Sequence, residues 1–97
     1  MKTYELTPVD NRKSFYGKTY VEVENGTETL YSYHTPIVSV NGNTIKPLWD
    51  GWSMTTGRHI DAFFSNLGLN RGIGKRAWGK IQAGEVATLE ELEKALN

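Results

Sequence analysis

The feature that most constrains the fold is an alternating stretch that ends in an Asn-Gly dipeptide. In residues 14–24, apolar or β-branched side chains alternate with polar and aromatic ones, which is the period of a half-buried β-strand. Asn25-Gly26 follows, and this dipeptide favours a type I′ hairpin turn. A second strand is therefore predicted over residues 28–40. Pro36 within it requires an edge position or a bulge, because proline has no N–H to donate.

A second Asn-Gly dipeptide, at positions 41–42, turns the chain into a third strand within residues 43–50. Residues 2–7 are a candidate fourth strand. The first half of the chain therefore predicts an antiparallel meander of three to four strands.

Helical periodicity replaces the alternation in the second half. In residues 57–67, apolar side chains recur at the spacing of one buried helical stripe, and Gly68 is placed to end that helix. Residues 75–82 predict a shorter helix, and Thr88 with Glu91 predicts the capping box of a third. The predicted fold class is α+β: a three- to four-stranded antiparallel meander followed by two or three helices packed on one face.

The length of 97 residues predicts a single domain, 1–97, with a β-meander half at 1–50 and a helical half at 51–97. The absence of cysteine excludes disulfides, thiolate nucleophiles and Cys-based zinc sites, and it fits a reducing compartment. No apolar run approaches the roughly 18 residues of a membrane span. We expect a soluble intracellular protein that does not associate with a membrane.

Residue types suited to catalysis are few. His34 and His59 are the only histidines, and neither belongs to a metal-ligand motif. Ser53 lacks a Gly-x-Ser-x-Gly elbow, and the Gly-rich stretch 68–76 departs from a P-loop because Arg76 stands where Ser or Thr is needed. We expect no catalytic residue, metal or cofactor. An enzyme would need a pocket that joins His59 to Ser53 or to a carboxylate.

Charge is segregated along the chain although its formal net charge is zero. Residues 58–80, here called the basic segment, carry five cations against Asp61 alone. The candidate residues for binding a partner or an anion are Arg58, His59, Arg71, Lys75, Arg76, Trp78 and Lys80. Cations around one stacking ring are what backbone-directed nucleic-acid binding uses. The alternative is a solvated helix face with Trp78 buried beneath it, and a sequence pI of about 6.7 disfavours a dedicated nucleic-acid-binding domain.

The start of the 57–67 helix leaves two interpretations open. Thr55 or Thr56 is placed as its N-cap, which puts Arg58 and His59 in the first turn. Cations are unfavourable there, because the N-terminal end of the helix dipole is positive. The start of this helix therefore serves either only for capping and packing, or as a site at which Arg58 and His59 attract a phosphate or a carboxylate of a partner.

Two blocks of the chain resemble a family of small, largely uncharacterised proteins encoded by bacteriophages and bacterial mobile elements. One is a Tyr-Ser-Tyr-x-Thr strand, and the other is a Ser-x-Thr-Thr-x-Arg-His-Ile block that opens a helix. The matching positions are Tyr31, Ser32, Tyr33, Thr35, Trp52, Ser53, Thr55, Thr56, Arg58, His59, Ile60 and Phe63. The resemblance implies a phage or prophage gene product that acts in the cytoplasm of a bacterial host cell. It assigns no catalytic residue.

The expected function is that of a small non-enzymatic accessory protein that binds another protein. The partner expected is a host or phage protein, and a host defence factor (for counter-defence) is one such target. The alternative is a nucleic-acid-binding protein that uses the basic segment. The sequence does not fix the oligomeric state.

Overall fold

The computed structural model describes residues 2–6, 17–69 and 72–96, in which a five-stranded antiparallel sheet precedes three helices. The elements are β1 Lys2–Glu5, β2 Thr19–Glu24, β3 Thr27–Ser32, β4 Thr35–Asn41, β5 Thr44–Pro47, α1 Met54–Asn66, α2 Lys75–Gln82 and α3 Leu89–Leu96. The strands lie side by side in chain order. The α+β prediction is confirmed, with one strand more than the three or four expected.

The additional strand arises because the segment predicted as one strand, 28–40, forms two. Ser32 pairs with Thr35, so the chain reverses through Tyr33 and His34. These two residues have positive φ angles of 51° and 70°, as both loop residues of a type I′ turn must. Positive φ angles are uncommon for residues other than glycine, and tyrosine is not among the exceptions, which are asparagine, aspartate and histidine; the turn was therefore not predicted from the sequence.

Pro36 lies at an irregularity in the sheet, as predicted. Tyr31 pairs with Pro36 but Leu30 pairs with Val38, so Ile37 is an extra residue in β4. This β-bulge buries two consecutive side chains, Ile37 and Val38, which are 1% and 0% exposed.

The two Asn-Gly dipeptides both lie at hairpin turns. Asn25 and Gly26 have positive φ angles of 50° and 80°, which confirms the first turn. The second turn lies one residue later than predicted, because Asn41 still pairs with Thr44. Gly42 is consequently the first loop residue, and its φ of 60° suits that position of a type II′ turn.

The core lies between one face of the sheet and the helices. Alternate strand residues such as Val21, Leu30 and Val40 are buried on that face. The buried helical side chains opposite them are Ile60, Phe63, Phe64, Trp78, Ile81 and Leu92. Of the helices that the structure describes, none combines the length and the apolarity that crossing a bilayer requires.

Candidate binding site at the Tyr33-His34 hairpin

The helix that carries the predicted site residues begins earlier than the sequence indicated. α1 starts at Met54 rather than at residue 57, and its N-cap is Ser53. Ser53 Oγ accepts a hydrogen bond from the Thr56 N–H at 3.0 Å. The prediction of a cap at Thr55 or Thr56 is therefore wrong. The reason is that Ser53 has the extended backbone of a cap, while both threonines already belong to the helix.

The earlier start places Arg58 and His59 in the second turn of α1, where the helix dipole acts more weakly. Burial, together with the nearby charges of Arg58 and Lys18, lowers the pKa of His59 from 6.5 to about 4. His59 is therefore neutral near neutral pH. The electrostatic conflict expected for two cations in a first turn is absent, and His59 cannot supply a charge for binding an anion.

His59 belongs to a buried polar cluster with two hydroxyl side chains. A hydrogen bond of 2.8 Å joins Ser32 Oγ to His59 Nδ1, and another of 3.2 Å joins Ser32 Oγ to Thr56 Oγ1. The exposed fractions of Ser32, Thr56 and His59 are 2%, 7% and 2%. Leaving one such group without a hydrogen bond would cost about 1–3 kcal/mol. The cluster therefore fixes the end of β3 against α1, directly beneath the Tyr33-His34 turn.

The cluster suits a structural role better than catalysis. A serine beside a histidine is the usual arrangement of a nucleophile and its base. An imidazole with a pKa of about 4 is, however, a weak base at neutral pH, and Ser32 is 2% exposed. Within residues 2–6, 17–69 and 72–96, no group of three or more His, Asp or Glu side chains is placed to hold a metal ion.

Aromatic side chains surround the turn above this cluster. Tyr33 is 52% exposed, and its ring centroid lies 5.9 Å from that of His59. Tyr20 and Tyr31 stack at 5.0 Å with an angle of 6° between their planes. His34 is exposed and its ring centroid lies 6.1 Å from that of Tyr20. We call Tyr20, Tyr31, Tyr33 and His34 the aromatic patch.

The turn that presents the patch is held in an unfavourable conformation. A left-handed backbone costs about 1–2 kcal/mol for a residue other than glycine, and here two such residues are adjacent. Neighbouring groups support the turn: the Tyr33 N–H donates to the Lys18 carbonyl at 2.8 Å, and Thr19 Oγ1 donates to the Tyr31 carbonyl at 2.6 Å. Strain that the surrounding structure supports in this way is typical of functional sites.

The cations of the basic segment occupy a different part of the molecule. Lys75 and Arg76 are exposed in the first turn of α2, and Lys80 is half-buried in its last turn. Arg58 is half-buried on α1. Arg71 lies outside the described residues. The structure thus brings three predicted residues together on α2 and places Arg58 and His59 on another helix.

Trp78 is fully buried, at 0% exposure. Its indole N–H donates a hydrogen bond to the Gly51 carbonyl at 2.9 Å. Of the two interpretations of the basic segment, the structure therefore agrees with the helix face that has Trp78 buried beneath it. Trp78 therefore gives the basic segment no ring on which a base or a partner side chain could stack.

The sequence did not identify the aromatic patch as a site. Tyr31 and Tyr33 appear in the resemblance, but Tyr20 and His34 drew no attention. The available signal was that Tyr20 falls on the polar side of the alternating stretch. A large aromatic ring on the solvent-facing side of a strand is informative because it leaves apolar surface accessible, and Tyr20 is half-buried there.

The fold and the site define a small α+β protein whose hairpin end presents aromatic side chains over a buried polar cluster. Over residues 4–80 the chain matches the model of a family of unknown function, DUF8033, and it belongs to that family. The matched range includes both the Tyr-Ser-Tyr-x-Thr strand and the block that opens α1. No curated protein and no solved structure matches the chain.

Proposed function

We propose that this chain is a non-enzymatic binding protein and that the aromatic patch is the surface with which it engages another protein. The observation that carries the proposal is the pair of adjacent aromatic residues, Tyr33 and His34, at a turn whose positive φ angles are uncommon for residues other than glycine. Tyrosine offers a large contact area at a low cost in side-chain entropy, and it is enriched among the residues that dominate binding energy.

The choice of residues at this turn supports a role in binding. Asn-Gly would form the same type of turn without strain, and this chain uses Asn25-Gly26 at its first hairpin. Tyr33-His34 instead costs stability, and the buried cluster beneath it offsets that cost. We expect exposed rings at such a turn where a partner contacts them, because the stability of the fold alone does not explain their presence.

We further propose that the protein is a phage or mobile-element product that acts in the cytoplasm of a bacterial cell. The support is the resemblance of the strand around Tyr31 and of the block that opens α1 to proteins of that origin. The proposed partner is then a host or phage protein, and a host defence factor is one target of this kind.

The test is capture of a partner from a bacterial lysate by the tagged chain, with two variants beside the wild type. Replacing Tyr33-His34 by Asn-Gly keeps a favourable turn and removes both rings. Met54→Ser is the matched control, because Met54 is 78% exposed and lies on α1, outside the patch. We expect the wild type and Met54→Ser to recover one stoichiometric protein and the Asn-Gly variant to lose it. Recovery of no such protein would refute the function, and retention by the Asn-Gly variant would refute the surface.

Nucleic-acid binding through the basic segment is the second candidate, and the exposure of Lys75 and Arg76 on α2 supports it. With Trp78 buried, the contacts would be limited to phosphates. Binding should then weaken steeply with salt and weaken again in the Lys75→Ala/Arg76→Ala double variant. An electrophoretic shift that is absent, or that salt does not change, would remove this candidate.

A further inference from the structure

The sheet presents a second face, here called the outer face, on the side opposite the core. Neighbouring side chains of a strand point to opposite faces. Val21 and Leu30 pair with each other and are buried in the core, so the adjacent pair Tyr20 and Tyr31 lies on the outer face. The charged residues of the described strands on this face are Glu5, Glu22, Glu24 and Lys46. Three carboxylates against one cation make the contribution of the described strands to the outer face acidic.

The two tyrosines form part of a row that crosses four strands. Glu5 pairs with Tyr20, Tyr20 with Tyr31, and Tyr31 with Pro36. A carboxylate therefore stands at one end of a continuous aromatic and apolar row. Burial raises the pKa of Tyr31, and the negative charge of Glu22 raises it further, which places that charge within electrostatic range of the rings.

A shallow depression of about 350 Å³ lies at the carboxylate end of this row. Its lining residues are Thr3, Tyr4, Glu5, Gly17, Tyr20 and His34. The rings of Tyr20 and His34 supply aromatic walls, and Glu5 supplies a negative charge. Gly17, which has a φ of 74°, borders this charge: a Cβ at this position would lie 3.9 Å from Glu5 Oε1, in ordinary van der Waals contact.

We propose that this depression receives an arginine side chain of the protein partner; the proposal rests on the function proposed above. The guanidinium group pairs with the Glu5 carboxylate and stacks on the Tyr20 ring, as planar guanidinium groups do with carboxylates and aromatic faces. The partner segment that carries this arginine is basic and runs from Tyr20 along β2 towards Glu22 and Glu24, which lie on the same face of that strand. A nucleic acid is disfavoured on this face, because the same carboxylates repel phosphates.

The probe is a pair of short peptides, acetyl-Gly-Arg-Gly-amide and its counterpart with citrulline, which has the shape of arginine without the charge. Binding is followed by the movement of backbone amide signals in nuclear magnetic resonance spectra of the whole chain. We expect the arginine peptide to move the signals of Glu5, Tyr20 and His34. It should bind roughly tenfold more tightly than the citrulline peptide, since an exposed cation–π contact and a surface ion pair act together.

Two variants of the protein test the contact with the carboxylate. Glu5→Gln should remove the preference for arginine over citrulline. Glu90→Gln is the matched control, because Glu90 is an exposed glutamate on α3, and it should leave the preference unchanged. A lysine peptide that binds as tightly as the arginine peptide would refute stacking of a planar group.

Other results would overturn the proposal. One is that the arginine and citrulline peptides bind equally tightly, and another is that the arginine peptide moves only signals of residues outside the outer face. A third is that an oligothymidylate of about eight nucleotides moves the Tyr20 and Tyr31 signals. Broadening of the same signals as the protein concentration rises would assign the face to a second copy of the chain. Partner capture separates the arginine site from the proposed binding surface. If the Glu5→Gln variant captures the partner normally but the Asn-Gly variant at residues 33–34 does not, the arginine site alone is refuted.

Discussion

Acid should destabilise this protein through His59, by an amount that follows from its burial. The unfolded chain binds a proton at His59 near the ordinary pKa of 6.5, whereas the folded protein does so only near 4. The contribution of His59 to stability is therefore fully present above the higher value and is lost as the pH falls towards the lower one. The whole loss is about 3 kcal/mol, because each pKa unit between 6.5 and about 4 is worth about 1.4 kcal/mol. About 2 kcal/mol of it falls between about pH 7 and about pH 4.5.

The measurement is urea denaturation of the wild type and of His59→Asn at these two pH values, followed by tryptophan fluorescence. Asparagine does not titrate, and its amide offers both a donor and an acceptor with which it can replace Nδ1 in the hydrogen bond to Ser32 Oγ. Carboxylates titrate in both proteins and cancel in the comparison. The wild type should therefore lose about 2 kcal/mol more than His59→Asn between the two pH values.

His34 provides the matched control, because it is the only other histidine and is exposed. His34→Asn should keep the pH dependence of the wild type. The reasoning is refuted if the wild type and His59→Asn lose equal free energy of unfolding. It is also refuted if removing His34 reduces the loss as much as removing His59.

Two further predictions concern backbone positions and are measured by thermal denaturation. Gly57→Ala should destabilise the protein by about 1–3 kcal/mol, because its Cβ would lie 2.5 Å from a ring carbon of Trp52. A Cβ at Gly79 would have no atom within 4 Å, so Gly79→Ala should stabilise α2 by about 0.5–1 kcal/mol. If both variants stabilised the protein, or both destabilised it, the difference in packing between the two positions would be contradicted. Replacing Tyr33-His34 by Asn-Gly should leave the free energy of unfolding within about 1 kcal/mol of the wild type, because relief of about 1–2 kcal/mol of strain per residue offsets the lost ring contacts. A loss of more than about 2 kcal/mol would show that the rings stabilise the fold.

Features set by a few neighbouring residues could be predicted from the sequence. The turn at Asn25-Gly26 and the capping box of α3 depend on residues within one turn of the chain, and both are present. Gly68 ends α1 as expected: it has a φ of 100°, and the following Leu69 N–H donates to the Phe64 carbonyl at 3.0 Å.

Features that depend on distant contacts could not be predicted. The turn at Tyr33-His34 contradicts local preference, and the cluster that supports it joins Ser32 and His59, which lie 27 residues apart. The cap of α1 was misplaced because several hydroxyl residues precede the helix, and the sequence alone did not select Ser53. Trp52 precedes that cap and packs against Gly57, so the start of the helix depends on tertiary packing.

For the predicted binding residues, charge along the sequence is a poor guide to charge in space. His59 was counted among the cations, but burial keeps it neutral. Trp78 was considered as an exposed ring, but the packing of α2 buries it. In contrast, the acidic outer face draws its carboxylates from two strands whose residues are distant in sequence, Glu5 on β1 and Glu22 on β2.

The two blocks of the family resemblance, the Tyr-Ser-Tyr-x-Thr strand and the block that opens α1, are in contact in the structure. Some of their side chains are buried between them and others are exposed to solvent. Ser32 and His59 point into the cluster, while Tyr33 is presented to solvent above them. Because the cluster supports the strained turn, the stability of the fold and the shape of the aromatic patch depend on the same hydrogen bonds. Protonation of His59 would place a positive charge inside the buried cluster and weaken both together. Partner binding through the patch should therefore weaken over the same acidic range in which stability is lost, and His59→Asn should separate that effect from titration of the partner.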